Sequence, residues 1–179
     1  MANRKTKNIC LIALFSAIIV ICSLITIPSA IPFTLQTFAI FLSLNILGAK
    51  KGIISIIIYI LLGVVGLPVF SGFNGGIGAL LNITGGYIIG FTFSALTYWL
   101  VTSIFSKKPR KMVNLIASFL GLIVCYFFGT IWYILLFVKD GGSISFASAL
   151  TICVLPFIIP DIFKILLSVT LSEKVKNHI

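Results

Sequence analysis

The basic run Lys107-Lys108-Pro109-Arg110-Lys111 separates two long stretches of the chain that carry no charge. Residues 52–106 precede it and residues 112–138 follow it, and neither stretch contains Asp, Glu, Lys or Arg. A transmembrane helix needs about 20 mostly apolar residues. The first stretch therefore has room for two membrane spans joined by a turn, and the second has room for one.

The rest of the chain follows the same pattern. Residues 8–49 are uncharged and have room for two spans, and residues 141–172 have room for one. Of the 179 residues, 60% are hydrophobic and 9% are charged, against about 45–50% and 25% in soluble domains. This composition excludes a soluble fold and a disordered chain. We predict an all-α integral membrane protein, a single membrane domain over residues 1–179, with transmembrane helices at about 9–27, 35–48, 52–67, 85–105, 112–138 and 147–171.

The cations predict the orientation of these six helices. The formal net charge is +10, with 13 Lys and Arg against 3 Asp and Glu, and positive residues accumulate on the cytoplasmic side of membrane proteins. Six spans place both termini on one side, and all cations except Lys139 and Lys164 fall on that side. We therefore expect both termini in the cytoplasm. The run at 107–111 is interpreted as an anchor among lipid headgroups and not as a nucleic-acid-binding patch.

Two features of the apolar segments favour structural roles. Segment 9–27 is longer than the apolar core of about 7–15 residues in a signal peptide, so we interpret it as a membrane helix. The four cysteines occur singly, without Cys-x-x-Cys spacing or a neighbouring His. We expect neither a metal site nor disulfides at these residues, which are Cys10, Cys22, Cys125 and Cys153.

The last predicted helix contains the sharpest polar signal, in the run Pro156-Phe157-Ile158-Ile159-Pro160-Asp161-Ile162-Phe163-Lys164. Asp161 and Lys164 are three residues apart, so they share one helix face and can pair. Each costs about 2.5–3.5 kcal/mol at the centre of a membrane helix. The two prolines predict a kink that opens a polar cavity toward the outside. A structural ion pair is the alternative, but ionisable residues within membranes usually serve function.

Two outer loops carry the remaining polar groups, at 31–37 and 67–87. The second loop is rich in Gly, which permits close approach of the backbone to a ligand, and irregular backbone at membrane depth must be buried or line a cavity. A flexible loop without a ligand is the alternative. An apolar pocket with few polar groups suits a small organic molecule better than an inorganic ion. The candidate groups in these loops are Phe33, Thr34, Gln36, Phe70, Phe73, Asn74, Asn82 and Tyr87.

Catalysis has little support in the sequence. The one His is His178, beside the C-terminus, and no nucleophile–base pairing is visible. No Gly-x-x-x-x-Gly-Lys-Ser/Thr pattern occurs, so nucleotide binding by a P-loop is excluded. We expect no enzyme activity, no cofactor and no catalytic or metal-ligating residues.

Several motifs, in order along nearly the whole chain, resemble the BioY family, the biotin-binding substrate (S) components of energy-coupling factor (ECF) transporters. The resemblance implies a six-helix S-component bundle in the plasma membrane of a bacterium, with the first and third outer loops closing over biotin. The motifs are Ile31-Pro32-Phe33-Thr34-Leu35-Gln36-Thr37, Leu47-Gly48-Ala49-Lys50-Lys51-Gly52, Gly66-Leu67-Pro68-Val69-Phe70, Asn74-Gly75-Gly76, Thr84-Gly85-Gly86-Tyr87 and Pro160-Asp161-x-x-Lys164.

The resemblance also implies roles for particular residues. In this family the Asn of the Asn-Gly-Gly loop, here Asn74, and the last-helix acid and base, here Asp161 and Lys164, take part in ligand binding. Some members carry Arg after Gly-Gly-Tyr, where this chain has Ile88, so an Arg contact is not carried over. Either Lys164 or N–H groups of the loops are expected to bind the valerate carboxylate of biotin, and the sequence does not distinguish the two. The full set of predicted ligand-binding residues is Phe33, Thr34, Gln36, Phe73, Asn74, Gly75, Gly76, Asn82, Tyr87, Asp161 and Lys164.

The partners are likewise implied by the resemblance. They are a transmembrane coupling (T) protein and two cytoplasmic ABC ATPases, which supply the energy. The spacing of Ala13 and Ala17 allows close packing with a helix inside or outside the chain, and the resemblance implies contact with the T protein. The competing functions are an S component for another vitamin, such as thiamine or riboflavin, and a membrane enzyme acting on lipids.

Overall fold

The computed structural model describes residues 2–28 and 31–176. This part of the chain forms eight α-helices and one two-stranded antiparallel sheet. The strands are β1 (Thr26–Ile27) and β2 (Phe33–Thr34), paired in the register Thr26 with Thr34 and Ile27 with Phe33. The helices are α1 (Ala2–Leu24), α2 (Gln36–Leu47), α3 (Ala49–Val64), α4 (Ile77–Leu81), α5 (Gly85–Ile104), α6 (Arg110–Lys139), α7 (Phe146–Cys153) and α8 (Leu155–Lys176).

Four helices of the described chain are long and apolar enough to cross a membrane, namely α1, α5, α6 and α8. Helix α2 has 12 residues and α3 has 16, which correspond to about 18 and 24 Å at about 1.5 Å per residue. Both are shorter than about 30 Å of hydrocarbon. The fold is thus mostly helical, as predicted, while the count of six membrane spans stays a prediction.

The first helix ends earlier than the predicted 27. Helix α1 stops at Leu24, and the hydroxyl of Thr26 donates to the carbonyl of Ser23 at 2.8 Å. Ile27 precedes Pro28, a position that disfavours helical backbone, and Thr26 and Ile27 pair as β1 with β2. This hairpin places Thr34 beside the start of α2.

The third predicted helix, 52–67, is displaced toward the N-terminus. Helix α3 begins at Ala49 and ends at Val64, and Gly66 follows with a φ of 107°. The long loop predicted after it contains a 3-10 turn at Ser71–Phe73 and the short helix α4. Periodicity does not detect such short elements among many glycines.

The last predicted helix, 147–171, is two helices in the structure. Helix α7 ends at Cys153, and Val154 has φ −124° and ψ −51°, outside the helical range. Pro156 is the second residue of α8, where its missing N–H costs nothing, and Pro160 lies within α8. The predicted kink is therefore a break, located before Pro156. Helix α8 also continues beyond 171, to Lys176.

Small residues set the packing of α5 against α6. A Cβ on Gly86 would lie 2.3 Å from the Cβ of Trp132, and one on Gly90 would lie 3.2 Å from the carbonyl oxygen of Cys125. Both glycines are buried. The two glycines therefore let α5 approach α6 closely, and this approach positions the first turn of α5 beside the middle of α6.

Candidate functional site

A cavity of about 80 Å³ lies between the β-hairpin, the first turns of α5, the middle of α6 and the first half of α8. The lining is mostly apolar and aromatic, with a few polar groups. The lining residues are Ile31, Pro32, Thr34, Gln36, Thr37, Ser71, Thr84, Tyr87, Ile88, Phe91, Leu122, Cys125, Tyr126, Cys153, Phe157, Asp161 and Lys164.

Asp161 and Lys164 form an ion pair in the cavity wall. The Nζ of Lys164 lies 2.7 Å from Oδ1 of Asp161. Only 3% of Asp161 and 7% of Lys164 is exposed. The pairing predicted from their spacing is confirmed. Because both charges are buried, each depends on the other and on further hydrogen bonds to offset its lost hydration.

The hairpin supplies the other contacts of Lys164. Its ammonium donates to the backbone carbonyl of Thr34 at 2.7 Å and lies 4.1 Å from the centroid of the Phe33 ring. A cation over an aromatic face is attracted to the ring quadrupole. The Phe33 ring also stacks with Phe157 at 6.1 Å between centroids. The first outer loop is thereby tied to α8.

Tyr126 on α6 completes the contacts of Asp161. Its hydroxyl donates to Oδ2 of Asp161 at 2.6 Å, a short charge-assisted hydrogen bond. Sequence reasoning missed Tyr126, because nothing in the α6 sequence shows that α8 packs beside this turn. A phenol within an apolar span was the available signal, since a buried Tyr hydroxyl usually finds a polar partner.

Gln36 and Tyr87, both predicted, also line the cavity. The side-chain amide of Gln36 donates to the hydroxyl of Tyr59 at 3.0 Å, and the hydroxyl of Tyr87 lies 3.2 Å from that of Thr130. A Cβ on Gly129 would lie 2.3 Å from the Tyr87 ring, so the absence of a side chain there makes room for the ring. These contacts hold both side chains in the wall.

The loop residues of the prediction lie outside the cavity lining. Asn74 is exposed, and its amide nitrogen donates to the carbonyl of Ser71 at 2.8 Å. A Cβ on Gly75 would lie 2.3 Å from the carbonyl oxygen of Leu67, and the N–H of Gly76 donates to the carbonyl of Gly63 at 2.7 Å. The Asn-Gly-Gly segment is therefore held against the end of α3.

Phe73 and Asn82 also lie outside the lining. Phe73 is 69% exposed. The side-chain oxygen of Asn82 accepts from the N–H of Ile83 at 2.7 Å, and its backbone carbonyl accepts from the indole of Trp132 at 3.1 Å. A ligand role for the five loop residues stays a prediction.

The wall contains further residues that sequence reasoning did not select. Phe157 and Phe91 add aromatic surface, and Cys125 and Cys153 line the cavity as free thiols. Ile88, which directly follows the Gly-Gly-Tyr motif, is also in the lining. In this chain an aliphatic side chain therefore occupies that part of the wall.

The site combines a carboxylate, an ammonium, an amide and two phenols with an apolar lining. Such a set can bind a small molecule that has donors and acceptors at one end and an apolar body. The volume of about 80 Å³ is well below the roughly 300–1,000 Å³ of typical ligand pockets. A vitamin-sized ligand therefore fits only if wall segments move apart, and the hairpin and the α3–α5 connection are the segments without long helices.

Ala13 and Ala17, the predicted partner-interface residues, are both exposed on α1. The neighbouring Leu14 and Ile21 are also exposed, whereas Phe15 and Ile19 are buried in the core. The small residues therefore belong to an apolar face of α1 that does not pack within the described chain.

Comparison with known proteins gives consistent matches over the full chain. The BioY family profile matches residues 1–179. The chain is 36% identical over 175 residues to the probable biotin transporter BioY of Pyrococcus horikoshii, with 97% of this chain and 99% of that protein covered. It is 34% identical over 165 residues to the biotin transporter BioY of Thermotoga maritima, with 92% of each covered.

A solved structure gives the same result at the level of the fold. The crystal structure of the S-component for biotin from an ECF-type ABC transporter superposes with a TM-score of 0.87 at 29% identity, covering 99% of this chain and 94% of that one. The resemblance seen in the motifs is confirmed, and this chain belongs to the BioY family.

Proposed function

We propose that this chain is the biotin-binding S component of an ECF-type transporter, which captures biotin from outside the cell. The observation that carries this proposal is the buried Asp161–Lys164 pair in the wall of a mostly apolar cavity, in a chain of the BioY family. Relatives along the whole length are named biotin transporters. Uptake rather than catalysis is the activity of this site.

The groups in the wall match the chemistry of biotin. The ureido ring offers two N–H donors and one carbonyl acceptor, so the carboxylate of Asp161 suits the donors, and the ammonium of Lys164 or a phenol suits the carbonyl. The thioether ring packs on aromatic side chains such as Phe157 and Phe91. The valerate carboxylate is met by Lys164 or by N–H groups of the outer loops. Asn74 and the Gly-rich loop reach the ligand when that loop closes.

The proposed topology has six spans in one membrane domain, with both termini cytoplasmic, in a bacterial plasma membrane. Lys51 donates to the side chain of Asn8 at 2.6 Å, and Lys111 lies 3.0 Å from Glu173. These contacts gather the starts of α1, α3 and α6 and the end of α8 at one basic end of the bundle. That end is expected in the cytoplasm, which leaves the cavity nearer the outer face.

The proposed partners are a T protein and two cytoplasmic ABC ATPases. The exposed apolar face with Ala13 and Ala17 supports contact with a partner helix, because small residues permit close helix approach within a membrane. ATP hydrolysis takes place in the ATPases, in line with the lack of a P-loop pattern in this sequence.

The direct test is saturation binding of labelled biotin to the detergent-purified chain. We expect stoichiometric binding that unlabelled biotin displaces and that excess thiamine or riboflavin does not. Displacement by either of those vitamins instead would assign the S component to another substrate. Absence of any biotin binding by the folded protein, together with turnover of added lipid that Asp161→Ala abolishes, would replace transport with the enzyme hypothesis.

A further inference from the structure

The first turn of α2 borders the cavity and carries hydrogen-bond donors that no group of the described chain accepts. Gln36 and Thr37, the first two residues of α2, both line the cavity. We infer that this turn binds the carbonyl oxygen of the ureido ring of biotin, with the Thr37 hydroxyl as a donor beside the backbone N–H groups. The inference rests on the proposed function, because it assigns a further contact within the same site. Sequence reasoning did not select Thr37.

The hydroxyl of Thr37 is the side-chain donor of this turn. Thr37 is only 8% exposed, and its hydroxyl has no hydrogen-bond partner within residues 2–28 and 31–176. A Thr hydroxyl in a helix commonly donates to a carbonyl three or four residues earlier, as those of Thr97 and Thr170 do. The hydroxyls of Ser94 and Ser118 also lack partners, but they are sealed inside the bundle. Thr37 lines the cavity instead, so a ligand can supply the partner that a buried hydroxyl needs.

Backbone N–H groups of the same turn are also free. The first N–H groups of a helix have no partner within it, and α2 has no side-chain cap at Leu35. The N–H of Gln36 donates to the hydroxyl of Thr34 at 3.2 Å. The N–H groups of Thr37 and Phe38 have no partner in the part of the chain that the structure describes. Because they lie at the positive end of the helix dipole, they favour an electron-rich oxygen.

The contacts of Lys164 explain why these donors stay free and why Lys164 does not replace them. Its ammonium donates to the carbonyl of Thr34 at 2.7 Å, the carbonyl that would accept the N–H of Phe38 if α2 began one turn earlier. The ammonium also pairs with Asp161 at 2.7 Å and lies 4.1 Å from the centroid of the Phe33 ring. An ammonium has three donors, and these three contacts engage them. The acceptor of the ligand is therefore left to the start of α2.

The position of this turn favours the ureido carbonyl over the valerate carboxylate. The carbonyl of Thr34 and the carboxylate of Asp161 contact the same ammonium, so the start of α2 and Asp161 are neighbours. In biotin the ureido N–H groups, proposed for Asp161, flank the ureido carbonyl, whereas the carboxylate lies at the far end of an alkyl chain. A ligand carboxylate beside Asp161 would also meet a like charge. The donors of α2 therefore bind the oxygen of the ring whose N–H groups face Asp161.

The test is equilibrium binding of biotin and of biotinamide, which has a neutral amide in place of the carboxylate, to the detergent-purified full chain. Thr37→Val removes the hydroxyl and keeps the β-branched shape. We expect it to weaken binding of both ligands by the same factor, about threefold to tenfold. Thr37→Ser keeps the hydroxyl and is expected to retain binding. The matched control, Thr170→Val, removes an exposed hydroxyl of α8 and is expected to change neither affinity.

A change in the ligand tests the same contact. 2-Iminobiotin has an imino group in place of the ureido oxygen, so it presents N–H donors where biotin presents an acceptor. Because the start of α2 offers backbone N–H donors to this group, we expect the unchanged protein to bind 2-iminobiotin at least about tenfold more weakly than biotin. Equal affinities for the two ligands would overturn the inference.

The unfolding temperature of the ligand-free protein separates a ligand contact from a structural one. Because the Thr37 hydroxyl has no partner in the described chain, Thr37→Val is expected not to lower this temperature. A lower unfolding temperature for Thr37→Val, with Thr37→Ser unchanged, would show that the hydroxyl supports the fold, and would overturn the inference.

Each binding outcome decides the inference. Equal losses for biotin and biotinamide in Thr37→Val support it. A loss for biotin alone would place the carboxylate at this turn, and no loss for either ligand would remove Thr37 from the site. Either of these results overturns the inference and leaves the proposed function intact. Absence of biotin binding by the unchanged protein would instead overturn the proposed function, and the inference with it.

Discussion

Asp161 and Lys164 on α8 meet at 2.7 Å in the cavity wall, whereas Asn74 and Phe73, in the connection between α3 and α4, lie outside that wall. Both groups were predicted to bind the same ligand. The difference lies in what holds each group. A helix fixes the side chains at positions i and i+3 on one face, while the loop follows its own hydrogen bonds, such as that from Gly76 to Gly63. The helix residues therefore form a preset part of the cavity wall, whereas a ligand contact from Asn74 or Phe73 requires movement of the loop.

The largest loss of stability and of biotin binding is expected when the Asp161–Lys164 pair loses one of its two charges. Lys164→Met leaves Asp161 buried without its cation, and breaking a buried pair in this way costs about 3–5 kcal/mol. We expect a matching fall in the free energy of unfolding in detergent, and loss of measurable biotin binding. The control is Lys139→Met, which alters an exposed cation and is expected to change neither quantity.

A double variant sharpens this prediction. Asp161→Asn/Lys164→Met removes both charges, so it is expected to unfold at a higher temperature than Lys164→Met alone. A double variant as unstable as the single one would show that the stability change comes from lost packing and not from the unpaired carboxylate.

A smaller effect is expected at Tyr126, which supports the preset carboxylate without carrying charge. Tyr126→Phe removes the hydrogen bond to Asp161. A hydrogen bond to a charged group contributes about 1.5–3 kcal/mol, so the dissociation constant for biotin is expected to rise about tenfold or more. Tyr133→Phe, on the same helix and outside the cavity lining, is the control in equilibrium binding. Equal affinities for the two variants would contradict a role for the Tyr126–Asp161 contact.

The smallest loss of biotin affinity is expected for a substitution in the connection between α3 and α4. Asn74→Ala removes one neutral amide, whose hydrogen bond to a ligand contributes about 1 kcal/mol, so affinity is expected to fall by only about threefold to tenfold. On the proposal that this loop closes over bound biotin, the change is expected mainly in the dissociation rate, measured by chasing labelled biotin with unlabelled biotin. A dissociation rate equal to that of the unchanged protein would show that Asn74 never contacts biotin.

The difference between helix residues and loop residues also explains how much of the structure could be predicted from the sequence. The charge spacing located the long helices, and the i, i+3 spacing of Asp161 and Lys164 predicted their pairing. Tyr126 was missed because its contact depends on the register between α6 and α8, and no local pattern encodes that register. The break at Val154 was predicted only as a kink, because Pro156 disfavours helical backbone before it but does not determine where α7 ends.

The loop could not be placed from the sequence for a different reason. The glycines predicted that the backbone of this loop can adopt many conformations, but they did not predict which conformation it adopts. Gly75 packs against the carbonyl of Leu67, and Phe70 is buried beside Tyr59 with ring centroids 5.5 Å apart. These contacts come from the end of α3, which sequence reasoning placed at 67 rather than at Val64.

The most direct test of the account is equilibrium binding of labelled biotin to two variants that carry the same substitution. Asp161→Asn removes the buried carboxylate charge, and Asp140→Asn removes an exposed one in the connection between α6 and α7. We predict that Asp161→Asn binds biotin about a hundredfold more weakly than the unchanged protein, because it loses hydrogen bonds to a charged group, and that Asp140→Asn binds normally. An Asp161→Asn protein that is folded and binds biotin as tightly as Asp140→Asn would contradict the assignment of the Asp161–Lys164 pair as the biotin site.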